Sequence, residues 1–452
     1  MGGRFTTVDY EATLEQTVRL GDCLPPDHLA RFVTDVVAQL DFAPFYARYG
    51  PRGGVAYAPE VLFGLLVYGY TTGVFSTRKI ERATYEAAPF RYLAGNRHPD
   101  HDTLATFRKT FLSELQGLFV QVLLLAQASG VLQLGTISLD GTKVHADASK
   151  SKAVSYKRLG EQEQRLQTEV AALFALGEQA DRGPLPDGLV VADELARRQE
   201  RLARLAEAKA VLEARARERD ALEQVAYEAK VREREAKARR TGRPPRGRPP
   251  APPTPGPRDK DQYNFTDPDS RIMKRSTDQG FDQQYNAQVA VEQASLLIVG
   301  HALSNHPNDQ AEAVPTVARI PAVLGTPEAA ALDNGYFSEA NVRALEARGI
   351  APDIATGRDP HHQGWQAYFA DAPAPPPAAA SLKEQMAYKL RTAAGKAIYR
   401  LRQCTVEPVI GAIKEVLGFR QFSLRGLAGA AGEWGLVCLA WNLKRLHRLT
   451  VG

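Results

Sequence analysis

The run Ile137-Ser138-Leu139-Asp140-Gly141-Thr142-Lys143-Val144 is short and rich in apolar and β-branched residues, and its apolar half closes on a carboxylate and a glycine. This pattern predicts a strand over residues 136–144 with Asp140 at the end of its apolar part. Two other carboxylates stand in comparably marked settings. Asp333 follows Ala330-Ala331-Leu332 and precedes Asn334-Gly335-Tyr336, while Glu407 lies in Cys404-Thr405-Val406-Glu407-Pro408. An isolated Asp-Gly or Asp-Asn-Gly is ordinarily a turn. Three acids so widely separated can meet only through folding. Together they would form an oxygen-only site for a hard divalent cation, the kind used to break phosphodiester bonds.

The chain has 452 residues, 44% of them apolar, enough for two or three domains with real cores. Its net charge is +5, but the positive charge is clustered. Ten Lys or Arg face two Glu between Lys230 and Arg258, which suits a polyanionic partner and equally a solvated charged helix. The three cysteines, Cys23, Cys404 and Cys438, lack paired spacing, so neither a disulfide framework nor a zinc site is expected. No apolar leader or membrane span is evident, and a cytoplasmic protein is expected.

Residues 1–130 read as helical. Leu29, Phe32, Val33, Val36, Val37 and Leu40 recur at helical spacing. Ser76 is placed to cap a helix over Thr77–Ala87 that carries Arg78, Lys79 and Arg82 on its polar side. Asp102 is placed to cap another over Thr103–Leu115. Helix, short turn and basic helix suit a helix-turn-helix, and equally an ordinary bundle. Residues 131–156 open an α/β region. Residues 157–240 are charged and alanine-rich, with Leu195, Leu202, Leu205 and Leu212 at coiled-coil spacing and Leu166, Val170 and Leu173 as a shorter seam. Gly183-Pro-Leu-Pro-Asp-Gly188 breaks the pair, predicting an inserted antiparallel hairpin, with an intermolecular coiled coil as the rival. Residues 241–262 are a Pro- and Arg-rich linker. Its Gly242-Arg243-Pro244 and Gly247-Arg248-Pro249 resemble AT-hook cores, thin enough for a minor groove. Residues 263–452 return to strands and helices: strands near 285–292, 296–300, 329–332 and 352–356, and helices over 311–324, 339–348, 406–417 and 436–446. The order predicts a mixed sheet flanked by helices.

Four blocks carry a resemblance: Ile137–Val144; Asn264–Lys274 leading into Gln284–Val291; Leu332-Asp333-Asn334-Gly335-Tyr336-Phe337; and Tyr399-x-x-Arg402 with Val406-Glu407-Pro408, Lys414 and Gly418–Phe422. Through them the chain resembles bacterial insertion-sequence transposases of the DDE type, whose glutamate stands in a Tyr-Arg-Glu-Lys signature. The resemblance implies an RNase H-like catalytic fold, an N-terminal all-helical DNA-binding domain, and Mg²⁺ or Mn²⁺ held by Asp140, Asp333 and Glu407. It implies hydrolysis at the element's inverted repeats and joining of the 3′-hydroxyl to target DNA. Double-stranded DNA is the expected partner, met by Tyr399, Arg402, Lys414, Lys143, Arg78, Lys79, Arg82, Arg243 and Arg248. A homodimer or larger synaptic assembly is expected, with no small-molecule cofactor. A nuclease of the same fold without strand transfer, and a catalytically idle DNA-binding derivative, are the alternatives. The group usually has three residues between the signature Arg and Glu, whereas four stand between Arg402 and Glu407.

Overall fold

The computed structural model describes residues 19–50, 56–180, 188–243, 247–274, 280–357, 374–377 and 380–451. The Gly183–Asp187 part of the expected hairpin turn, and Pro244, Arg246 and the N-terminal 18 residues, lie outside them. Among the described residues the strands are β1 (Thr136–His145), β2 (Ala153–Ser155), β3 (Gln262–Asn264), β4 (Arg271–Lys274), β5 (Phe281–Glu292), β6 (Ile298–Ser304), β7 (Ala329–Leu332) and β8 (Ala351–Ile354). The chain divides into two compact units, residues 1–144 with 286–452, and residues 145–285.

The larger unit is mixed α/β. Its strands run in the order β5-β1-β7-β8, with β6 also on β5. β1 and β7 are parallel, as are β7 and β8, whereas β5 and β6 are antiparallel. β7 is three alanines and a leucine, all buried; alanine is a poor strand former that the parallel neighbours hold in place. β5 turns into β6 at Gln293-Ala294-Ser295, as the sequence suggests. The Glu292 carboxylate accepts from the backbone N–H of Ala294 and Ser295, and Leu296 takes a positive φ of 61°.

The N-terminal helices share this unit with the sheet. The reason is the C-terminal helix Leu427–Val451, much longer than the expected 436–446. It packs on β6 and on the helices Pro59–Thr71 and Leu112–Ala128. Buried Glu433 fastens this packing, accepting from Tyr70 Oη (2.8 Å) and from the Ser423 and Leu424 N–H groups, with Arg108 Nη1 at 3.4 Å. Capping differs from expectation at two helices. Ser76 occupies the N-cap of Thr77–Glu86 without a capping bond. Asp100, not Asp102, caps His101–Thr110, because only its carboxylate reaches back to Thr103 N (2.7 Å). The single helix expected over 311–324 is Ala313–Val317 followed by a 3₁₀ turn, Ala322–Leu324. Pro321 intervenes, and its missing N–H and ring forbid continuation.

The smaller unit holds the helices Tyr156–Ala180 and Val191–Thr241, packed on each other. Contacts run in opposite senses: Tyr156 with Glu213, Glu163 with Lys209 and Glu169 with Arg198, so the hairpin is antiparallel within one chain. Leu166, Leu205, Ala208 and Leu212 are buried with Leu159 and Tyr263, and Leu202 packs against them. Antiparallel β2–β3 joins the base of the hairpin to the returning chain. Among the described residues no single helix is long and apolar enough to cross a membrane.

Candidate active site

The parallel register of β1 and β7 pairs Leu139 with Leu332 and stops there. The residue after each of these leucines is an acid, Asp140 and Asp333, so two carboxylates 193 positions apart stand side by side. Asp333 follows the last residue of β7. Asp140 does not end β1, which continues to His145. It sits where the pairing with β7 ends, because β1 is a central strand that keeps its other neighbour, β5.

Alternation along β1 sends Ser138, Asp140 and Thr142 to one face. The helix Ala393–Gly411 lies against that face and supplies Glu407. It is fastened on both sides of Asp140. Thr405 Oγ1 is 2.9 Å from Ser138 Oγ, and Lys414 Nζ donates to Thr142 Oγ1 (2.9 Å) and to the Lys143 carbonyl (3.1 Å). Lys414 stands in a π-helical turn, Ala412–Val416, instead of the expected continuous α-helix over 406–417. Burial lowers the pKa of its ammonium.

Arg402, on the same helix and only 5% exposed, joins the three acids. Its Nη1 is 3.1 Å from Asp140 Oδ2, and its Nη2 is 3.2 Å from Glu407 Oε1 and 3.9 Å from Asp333 Oδ1. The guanidinium carbon lies 5.7 Å from the Tyr399 ring centroid. The extra residue between Arg402 and Glu407 therefore leaves both side chains at one place. Burial pushes the Asp140 carboxyl up to about 6; Arg402 and the Gly141 N–H (2.8 Å) oppose this, while Asp333 and Asp309 add to it.

Among the described residues no group of three or more His, Cys, Asp or Glu side chains is arranged as a formed metal-binding cluster. Arg402 lies among the carboxylates and supplies positive charge there. The donor chemistry nevertheless fits a hard divalent cation. It is all oxygen, and the Asp333 and Glu407 side chains are 46% and 51% exposed, open to an arriving ion.

Other residues expected at DNA fall in different settings. Arg78, Lys79 and Arg82 are exposed on the helix Thr77–Glu86, opposite buried Ile80 and Thr84, with Arg82 paired to Glu86 at 2.7 Å. Arg243 and Arg248 are exposed in the smaller unit. Lys143 is not a surface cation: its ammonium is covered, and Asp309 Oδ1 lies 3.5 Å away. Sequence reasoning passed over Ser138, Thr142, Thr405, Gln288 and Asp309. Hydroxyls and amides at strand positions carry no distinctive spacing, and only the fold reveals their partners.

Residues 18–110 match the family model described as "Transposase domain (DUF772)", and residues 376–447 match the one described as "Transposase DDE domain". The second match contains Tyr399, Arg402, Glu407 and Lys414. No curated protein and no solved structure matches the chain.

Proposed function

Because the chain is an insertion-sequence transposase of the DDE type, we propose that it cuts DNA at the ends of its element and joins the freed 3′-hydroxyl to target DNA. The observation that carries this reading is the meeting of Asp140, Asp333 and Glu407 at Arg402. The parallel β1–β7 pair with acids at neighbouring positions, and a helix bringing the third acid across the same face, support an RNase H-like core.

Asp140, Asp333 and Glu407 would hold Mg²⁺ or Mn²⁺. When bound, such ions activate the attacking oxygen and stabilise the leaving oxygen of the phosphodiester. The protein's own residues do the rest. Ser138, Thr142, Thr405 and Lys414 hold the glutamate helix against β1, so the carboxylates keep their places without help from substrate. Arg402 balances their mutual repulsion and, with Tyr399 behind it, would offer a guanidinium to an incoming phosphate. Water and then the 3′-hydroxyl would use this one site, which requires no covalent protein–DNA intermediate. Arg78, Lys79 and Arg82 would grip the DNA backbone of the inverted repeats, with Arg243 and Arg248 adding minor-groove contacts.

The test is cleavage of an end-containing duplex with Mg²⁺, comparing the wild type with Asp140→Asn, Asp333→Asn and Glu407→Gln. Loss of cutting in all three is expected, and retained cutting in any one removes that acid from the site. Free 3′-hydroxyl ends together with joined strands are expected among the wild-type products. Free ends without joined strands would identify a plain nuclease.

A further inference from the structure

We propose that Asp309 is a positioning residue for the active site, bracing the backbone segments that carry Asp140 and Asp333 from the opposite face of the sheet. The proposal rests on reading those acids as the metal-holding set. While Ser138, Asp140 and Thr142 face the glutamate helix, Gly141 and Lys143 point the other way. On that other face Asp309 Oδ1 accepts from Asn286 Nδ2 (2.7 Å) and Gln288 Nε2 (2.9 Å), and stands 3.5 Å from Lys143 Nζ. Asn286 and Gln288 are fully buried, two residues apart on β5, and are bonded to each other at 3.0 Å.

This single oxygen is tied to both acid-bearing segments. On the β1 side, Gly141 follows Asp140 directly. A Cβ there would collide with the Gln288 amide and lie 2.8 Å from Asp309 Oδ1, so the approach requires glycine. On the β7 side, Gln288 Oε1 accepts from the hydroxyl of buried Tyr336, three residues beyond Asp333 in the 3₁₀ turn Asn334–Tyr336. Asp309 Oδ2 also sits about one van der Waals contact from the place a Gly335 Cβ would take. A buried amide pair needs an acceptor at its end, and a covered lysine needs a counter-charge. Asp309 meets both needs at the point where the two segments meet. Residues that orient metal-holding groups in this way shift metal affinity or activity by about 10- to 100-fold when removed.

The test is Mn²⁺ binding to the full chain, followed by loss of the free-ion electron paramagnetic resonance signal, with melting in chelator as the fold control. Asp309→Asn keeps the side chain's shape but removes the charge and one acceptor oxygen. It is expected to weaken Mn²⁺ binding by about tenfold while the chain still melts cooperatively, at a lower midpoint because Lys143 loses its counter-charge, and Asp309→Ala by at least as much. Wild-type Mn²⁺ affinity in Asp309→Asn overturns the proposal, as does a lowered melting midpoint with unchanged affinity. Asp140→Asn is titrated beside it. If affinity falls there but not in Asp309→Asn, only the role of Asp309 fails. If it falls in neither, or the wild type binds no Mn²⁺, the metal-site reading fails and this proposal with it.

Discussion

The helical hairpin and the acid site use charge in opposite ways. In the hairpin and the linker that follows it, charges are matched in pairs: Arg198 with Glu169 and Glu194, Lys209 with Glu163, Arg219 with Asp261, and Arg258 with Glu223. Most of these side chains are partly exposed, and their pairing adds little beyond solubility and register. At the site, three carboxylates from distant parts of the chain share one buried guanidinium, and Asp140 is pushed up to about 6. Three carboxylates crowded onto one buried guanidinium hold more negative charge than their local partner neutralises, and this sets the site apart from the hairpin.

This contrast can be broken by experiment. The largest effect belongs to the acids: Asp140→Asn, Asp333→Asn or Glu407→Gln should slow end cleavage by about a thousandfold or more, near 4 kcal/mol in activation free energy. A fall of less than about tenfold in gel-resolved cleavage would make the cluster an ordinary ion-pair network.

Arg402→Ala should destabilise the fold by about 3 kcal/mol in denaturant titrations at neutral pH, since it strands carboxylates beside one another. The deficit should shrink on acidification. Asp140 has a folded pKa raised above its unfolded value, so its charged form opposes folding above about pH 6. That opposition is relieved as pH falls towards 4, where the folded protein is protonated first. Arg402→Ala should raise this pKa further, so its recovery begins at higher pH than in the wild type. A deficit independent of pH would mean that Arg402 acts through packing.

In the hairpin, apolar contact should matter more than charge. Leu205→Ala, at a position 4% exposed, should cost about 2 to 3 kcal/mol in the same titration. Glu169→Ala, which removes the partner of Arg165 and Arg198, should cost no more than about 0.5 kcal/mol. A larger loss from Glu169→Ala than from Leu205→Ala would overturn the comparison.

The same contrast explains what was legible in the sequence. The hairpin rests on local periodicity, so Leu166, Leu202, Leu205 and Leu212 announce their burial directly. The acids were legible as isolated marks, and the strands around them by composition. Their convergence depends on the β1–β7 register, which no local window contains. The helix breaks at Pro321 and the π turn at Lys414 went unforeseen for different reasons. The proline stands in plain view within the apolar run Ala311–Leu324, while Lys414 of the π turn bonds Thr142 across 272 positions, a contact that no local window contains. Asp309 was invisible because Asn305-His306-Pro307-Asn308-Asp309 reads as any polar loop.

The larger unit gives up the chain after Val144 on β1 and receives it back at Asn286 on β5, and these strands are sheet neighbours. Everything between is a detour that starts and finishes at adjoining points of one scaffold. The Leu139–Leu332 pairing, which sets the two acids beside each other, involves no residue of that detour, so the acid site and the helical hairpin are free to diverge at different rates. Related elements could thus inherit one set of acids while acquiring quite different appendages.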